Sequence, residues 1–213
     1  LKNSQDDALF SHHASSALRR IKLSTGASRE VGTPGLYAGL EVVGTQGALI
    51  TERLVPPFSY QVTWNDFARR VELRDFNGKL LRDLGTIKLK EGVPVEGVIT
   101  GPRNFWASPR ADGAVYWVEA LDGGDQRNKV PFRDKLMRLD PPYQGEAREV
   151  HRSTGRLGSL NFVDAGDRAI VSDFDRDRLW IAADLVALDG SAKPQRLQDR
   201  SLRDRYNDPG QPL

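Results

Sequence analysis

The chain reads as an all-β protein: a partial β-propeller of about three to four four-stranded blades, a fragment of a larger propeller. Two observations predict this. Four stretches share one layout, an apolar alternating run, a Gly-bearing turn and a second short run. They begin at Leu18, Val71, Leu136 and Leu185 and turn at Gly26, Gly78, Gly145 and Gly190. Those glycines stand 52, 67 and 45 residues apart, a strand-built period in the range left by propeller blades. A sandwich is the alternative all-β arrangement, but its turns recur every ~8–12 residues without a longer period. A blade buries its faces only against neighbours. An arc of blades is therefore expected to keep open faces, which drive self-association or low solubility.

Each element follows from local chemistry. Ser4-Gln-Asp-Asp7 supplies a cap and first-turn acids for a helix over about 4–13. Residues 17–23 alternate as a strand that turns at Ser24-Thr25-Gly26, and Pro34-Gly35 breaks the chain. Strands at 36–43 and 48–53 flank Gly44 and Gly47 as a hairpin. Strands are expected at 60–64 and 70–76, then at 80–84 after Asn77-Gly78, the strongest short hairpin signal in the chain. The next unit runs through 95–99, 114–120, 135–139 and 148–151. The last runs through 157–163, 168–172, 179–188 and 195–197. The chain thus divides into 1–34, a short helix and the outer strands of an incomplete blade; blades at 35–94, 95–155 and 156–198; and a polar exit segment at 199–213.

Composition narrows the function classes. The 213 residues are 38% hydrophobic and 28% charged, within the range of folded domains. A net charge of +2 gives no global basic field, which argues against a nucleic-acid partner. No apolar run approaches the ~20 residues needed to span a bilayer, so no membrane partner is expected. The absence of cysteine excludes disulfides, thiolate catalysis and Cys-ligated zinc. The first residue is not Met and the opening is polar, without signal-peptide character. The chain is expected to begin inside a longer gene product or at a processed terminus. Composition leaves the compartment open between the cytoplasm and an exported location.

Five segments carry a family resemblance: Arg53-Leu-Val-Pro-Pro-Phe-Ser-Tyr60, Thr100-Gly-Pro-Arg-Asn-Phe105, Glu119-Ala-Leu-Asp-Gly-Gly-Asp125, Lys129-Val-Pro-Phe-Arg-Asp134, and the stretch from Asp199 to Gly210. In this order they resemble the propeller of the prolyl oligopeptidase family of serine peptidases, most closely its glutamyl endopeptidase branch. The resemblance implies an N-terminal propeller that caps a C-terminal α/β-hydrolase domain, restricts access to oligopeptides and lines the substrate cavity. It makes 199–213 an exit toward a catalytic domain outside this chain. The implied partners are peptide substrates and that hydrolase domain.

The chemistry of a hydrolase is not written here. A nucleophile elbow needs Gly-x-Ser-x-Gly; Gly158-Ser159 and Gly190-Ser191 lack the surrounding glycines. His12, His13 and His151 read as surface or strand-edge residues. Asp173-Phe-Asp-Arg-Asp177 imitates the start of a calcium loop but puts Arg178 where the sharp-turn Gly belongs. Asp122 and Asp125 flank a hairpin loop rather than a metal site. No cofactor and no catalytic residue is expected in this chain. Glu41, Glu52, Glu119 and Asp173 leave a propeller-glycosidase reading open without selecting a pair. The substrate-contact candidates are Arg53, Tyr60, Arg103, Lys129 and Arg133. A guanidinium fork suits a carboxylate, and the alternative role of the basic residues is salt bridging between blades. The aromatics, among them Tyr116, Trp117 and Trp180, are expected to pack sheet on sheet. A stand-alone propeller serving as an interaction scaffold is the second functional reading.

Overall fold

Period-two alternation builds fourteen strands among the described residues, and every sheet pairs each strand with its sequence neighbour. The structure, a computed structural model, describes residues 1–45, 47–110, 112–163, 166–206, 208 and 210. Helix α1 (Ser4–Ala14) is followed by a two-stranded ribbon of β1 (Ser16–Ile21) and β2 (Ser28–Gly35). Three antiparallel four-stranded sheets then succeed one another. The first holds β3 (Tyr37–Val43), β4 (Ala48–Leu54), β5 (Arg69–Asp75) and β6 (Leu80–Ile87). The second holds β7 (Arg103–Ala107), β8 (Val115–Ala120), β9 (Asp134–Leu139) and β10 (Arg148–Ser153). The third holds β11 (Arg156–Val163), β12 (Arg168–Asp175), β13 (Trp180–Ala187) and β14 (Gln195–Ser201). No described helix is long and apolar enough to cross a membrane.

The sheets pack face to face, and the middle sheet is buried on both sides. Along β8, Val115 and Trp117 point into a core shared with Val43, Ile50, Val71 and Leu73 of the first sheet. Their neighbours Tyr116 and Val118 point the other way, into a core with Leu157, Val171 and Val186 of the third. This is the strand pleat used on both faces. The arrangement is propeller-like, with sheets of the size expected from the sequence.

Several local expectations are corrected. Residues 60–64 are not a strand. The Ser59 hydroxyl accepts from the Gln61 and Val62 amides and bends the chain there, and a 3₁₀ turn follows at Trp64–Asp66. Residues 95–99 are likewise not a strand: Gly97 N–H closes a turn on the Pro94 carbonyl and Glu96 has φ 65°. The first strand of that unit is instead β7, which begins within the family-like segment 100–105 and runs on to Ala107. Pro34-Gly35 does not break the chain but ends β2, where an edge strand beside a bulge tolerates proline. The helix forms as expected, but its cap is Asn3, whose side chain accepts from the Gln5 and Asp6 amides. Strand β14 runs to Ser201. Of the final segment, residues 207, 209 and 211–213 lie outside the described residues.

Candidate functional site

The up-and-down order of the strands puts the connections β4–β5, β6–β7, β8–β9, β10–β11 and β12–β13 at one end of the sheets. A cleft of about 430 Å³ opens there. Its walls include Glu52, Phe67, Arg69, Lys88, Lys90 and Arg103, and the start of β11 (Arg156, Leu157) closes it. Cations outnumber carboxylates in this lining.

Behind the cleft lies a buried network of three guanidiniums and two carboxylates. Asp134, at the head of β9, is fully buried. Its Oδ2 accepts from Arg103 Nη2 at 2.5 Å and from the Leu157 amide at 2.7 Å, and its Oδ1 accepts from Arg156 Nη1 at 3.1 Å. Asp122 Oδ2 accepts from Arg156 Nη2 at 2.6 Å and Arg133 Nη1 at 3.0 Å. Arg156 therefore bridges both aspartates and ties the third sheet to the second. Asp122 is turned inward by local chain chemistry. Its Oδ1 accepts from the Gly124 amide, and Gly123 and Gly124 both have positive φ. A Cβ on Gly124 would come within 2.1 Å of the Val98 carbonyl oxygen, so glycine there lets the β8–β9 and β6–β7 connections touch.

The charge balance of the network is positive. Arg103 is 6% exposed. Burial lowers its guanidinium below the ordinary value, opposed by Asp134 beside it; it remains a cation. Arg103 Nε and Nη1 and Arg156 Nε are buried and have no hydrogen-bond partner among the described residues. On the rim, Arg69 pairs with Glu52 at 2.9 Å and Lys90 lies 3.7 Å from Asp66. Lys88 donates to Thr100 Oγ1 at 2.7 Å and forms no ion pair among the described residues.

Of the five candidates from the sequence, the network brings together Arg103 and Arg133. Arg53 lies away from them, with its guanidinium 5.7 Å from the centre of the Tyr37 ring and packed on Gly35. Tyr60 is half exposed and donates to Asp7 of α1 at 2.9 Å. Beside it Phe10 packs edge-on against Phe58 and Phe67, which fastens the helix next to the cleft wall. Lys129 is an exposed residue of the β8–β9 connection. Sequence reasoning missed Arg156, Arg69, Lys88 and Lys90. Asp122 and Asp134 sat inside quoted segments, and their signal was proximity to Arg133. Nothing in the sequence marked Arg156, because its partners come from another sheet.

A second polar cluster lies between the second and third sheets. His151 is buried rather than on the surface, with Nε2 3.4 Å from Asp184 Oδ2. Asp184 also accepts from Arg196 Nε at 2.5 Å. Burial holds the His151 imidazole below its ordinary range, and burial raises the nearby Asp173 carboxyl. No described serine is hydrogen-bonded to His151; its polar partner among the described residues is Asp184. The Asp173–Asp177 stretch forms a strand end and turn, in which Asp175 Oδ1 accepts from the Arg178 amide. Among the described residues no group of His, Asp and Glu is placed to hold a metal ion.

Three of the five family-like segments (100–105, 119–125 and 129–134) contribute to the buried network, through Arg103, Asp122, Arg133 and Asp134. Two curated proteins match the chain throughout. A probable chloroplastic glutamyl endopeptidase of Arabidopsis thaliana is 31% identical over 99% of the chain. Its counterpart from Oryza sativa subsp. japonica is 29% identical over 100% of it. The chain is similar to the glutamyl endopeptidases from end to end. It spans about a quarter of their length, 22% and 23% respectively. No family model matches the chain. Among solved structures, an oligogalacturonate lyase in complex with manganese superposes with a TM-score of 0.53 at 12% identity, over 86% of this chain and 48% of that one. That likeness concerns the fold alone.

Proposed function

We propose that this chain is a non-catalytic part of the propeller of a glutamyl endopeptidase-like serine peptidase, where it gates and selects peptides for an α/β-hydrolase domain. In this reading the three four-stranded sheets are blades, and β1–β2 belongs to another. The observation that carries it is that three family-like segments supply Arg103, Asp122, Arg133 and Asp134 to one buried charge network beside the cleft, in a chain similar throughout to glutamyl endopeptidases. A gate needs no nucleophile of its own. It needs rigid walls, which the doubly buried middle sheet provides, and polar groups facing the entry. The reading also keeps the expected self-association. Ile170, Phe174, Ile181 and Leu185 pair across β12–β13 on the face opposite the core with the second sheet, an apolar face of the kind that associates.

The test uses the full-length protein that contains this segment. Peptides of graded length are compared with the same sequences inside a folded protein. Hydrolysis of the peptides alone, abolished by a serine-directed phosphonate, is the expected result. Equal hydrolysis of the folded substrate overturns the gate. No hydrolysis of any peptide overturns the peptidase reading in favour of a propeller scaffold.

A further inference from the structure

The ribbon of β1 and β2 runs past the end of the first sheet as a bare arm. The Asn77-Gly78 turn closes that sheet, and Gly78 approaches the ribbon at Val31 and Gly32. Beyond this contact the ribbon continues through three more pairs, Arg19↔Glu30, Arg20↔Arg29 and Ile21↔Ser28, about 10 Å of strand. A turn then closes it. The Lys22 amide donates to the Ala27 carbonyl at 2.9 Å, and the Lys22 carbonyl accepts from the Gly26 amide at 2.8 Å. Every residue from Arg19 to Glu30 is exposed. A two-stranded hairpin with so little packing is marginal in water, and such an arm gains stability when a partner covers it.

We propose that this arm adsorbs, tip first, on an anionic lipid surface. Leu23, in the turn, is 95% exposed, and Ile21 beside it is 57% exposed. Aliphatic side chains at the tip of a projecting arm are poorly placed in water and well placed at the boundary of headgroups and acyl chains. Around them the ribbon carries four cations, Arg19, Arg20, Lys22 and Arg29, against one carboxylate, Glu30. None of the four cations forms an ion pair among the described residues, and Arg20 lies over the Phe76 ring at 5.1 Å. Arg20 and Arg29 stand directly opposite each other. Like charges so placed destabilise a ribbon in water, and an anionic surface relieves them. Their long stems let the charged heads stay at the phosphates while the tip enters. A nucleic-acid backbone would use the cations but leave Leu23 and Ile21 in water. A folded acidic protein surface offers no general place for an aliphatic tip.

Neither feature depends on the peptidase reading. The lack of a long apolar run bears on spanning a bilayer, whereas adsorption needs no such run. The Asn77-Gly78 turn stands at the end of the sheets opposite the cleft, so adsorption leaves the cleft facing solution.

The test uses the full-length protein that contains this arm, sedimented with vesicles of phosphatidylcholine alone or mixed equally with phosphatidylglycerol. Binding to the anionic vesicles and not to the neutral ones, weakening as salt rises, is the expected result. Lys22→Gln and Arg29→Gln then each lower the partition coefficient about fivefold, as expected for one basic residue at an anionic surface. Leu23→Ser lowers it several-fold with the charge unchanged. All three positions are exposed, and equal thermal midpoints check that the variants fold. Leu23→Trp adds an emission that brominated lipid quenches on binding. No binding to anionic vesicles, equal binding to neutral ones, or binding that Leu23→Ser leaves unchanged overturns the proposal. Bound Leu23→Trp without added quenching overturns the entry of the tip. Binding to duplex DNA or polyglutamate in place of vesicles overturns the lipid surface and assigns the arm to a polyanion.

Discussion

Arg103 and Asp134 form an ion pair in which both side chains are withdrawn from solvent, Nη2 lying 2.5 Å from Oδ2. The pair joins the heads of β7 and β9 across the end of β8. Asp134 also anchors Arg156 and the Leu157 amide. Removing one partner of such a pair leaves a buried uncompensated charge, which costs about 3–5 kcal/mol. Asp134→Ala is therefore expected to lower the unfolding free energy by that amount, read as a lower denaturant midpoint. Asp125→Ala, which breaks the exposed pair with Arg127, leaves the midpoint nearly unchanged. A small effect for Asp134→Ala in urea unfolding contradicts the network as drawn.

The Asn77-Gly78 turn is packed against the ribbon. Gly78 has φ +86°, and a Cβ there would come within 2.1 Å of the Gly32 nitrogen. Gly78→Ala faces both a disfavoured backbone region and a main-chain clash, together worth about 2–4 kcal/mol. Gly26→Ala shares the positive φ, at +70°, but meets nothing within 4 Å, so it destabilises less. Equal thermal shifts in the two variants refute the packing of β2 on this turn.

His151 gives the fold an acid-sensitive joint. It faces Asp184, with Arg196, Glu149 and Asp173 nearby. Its pKa is depressed from 6.5, chiefly by burial, so the unfolded chain takes up the proton first. The stability this contributes is whole above pH 6.5 and is lost as pH falls below it. His151→Gln is expected to flatten the stability profile from pH 6.5 downward. An unchanged slope in urea melts across that window removes His151 as the cause.

Tyr116 behaves in the opposite sense. Its hydroxyl accepts from Arg138 Nη1 at 2.9 Å within the core between the second and third sheets. Burial pushes its pKa up from 10.0 to about 12. The folded chain holds this proton more tightly, so the stability it contributes is present below pH 10 and is lost as pH rises toward 12. Tyr116→Phe is expected to remove the phenolate absorbance that appears near pH 12 and to weaken the alkaline loss of stability. Phenolate absorbance from Tyr116 near pH 10 contradicts its burial.

Much of the strand architecture was legible because its signals are local. Alternation in 115–120 places residues on two faces whatever the partner sheet, and Asn77-Gly78 specifies a turn from backbone preference alone. The strands misplaced at 60–64 and 95–99 failed for a local reason too. A Ser59 side-chain bend and a Pro94–Gly97 turn outweigh a short apolar run. The candidate site was legible in half. Arg103 and Arg133 were marked by neighbouring motif residues, whereas Arg156 carried no mark of its own.

The sequence by itself determined an all-β chain of repeated antiparallel units, the absence of cysteine chemistry, and similarity to a peptidase propeller. These rest on periodicity, composition and ordered motifs, which survive without coordinates. Only the tertiary structure decided that Arg103, Arg133 and Arg156 share Asp122 and Asp134, that His151 is buried, and that Arg53, Tyr60 and Lys129 stand apart from the network. Such ion pairs form between residues up to 34 positions apart, brought together by face-to-face packing of whole sheets. Their energy depends on burial, which no local stretch of sequence encodes.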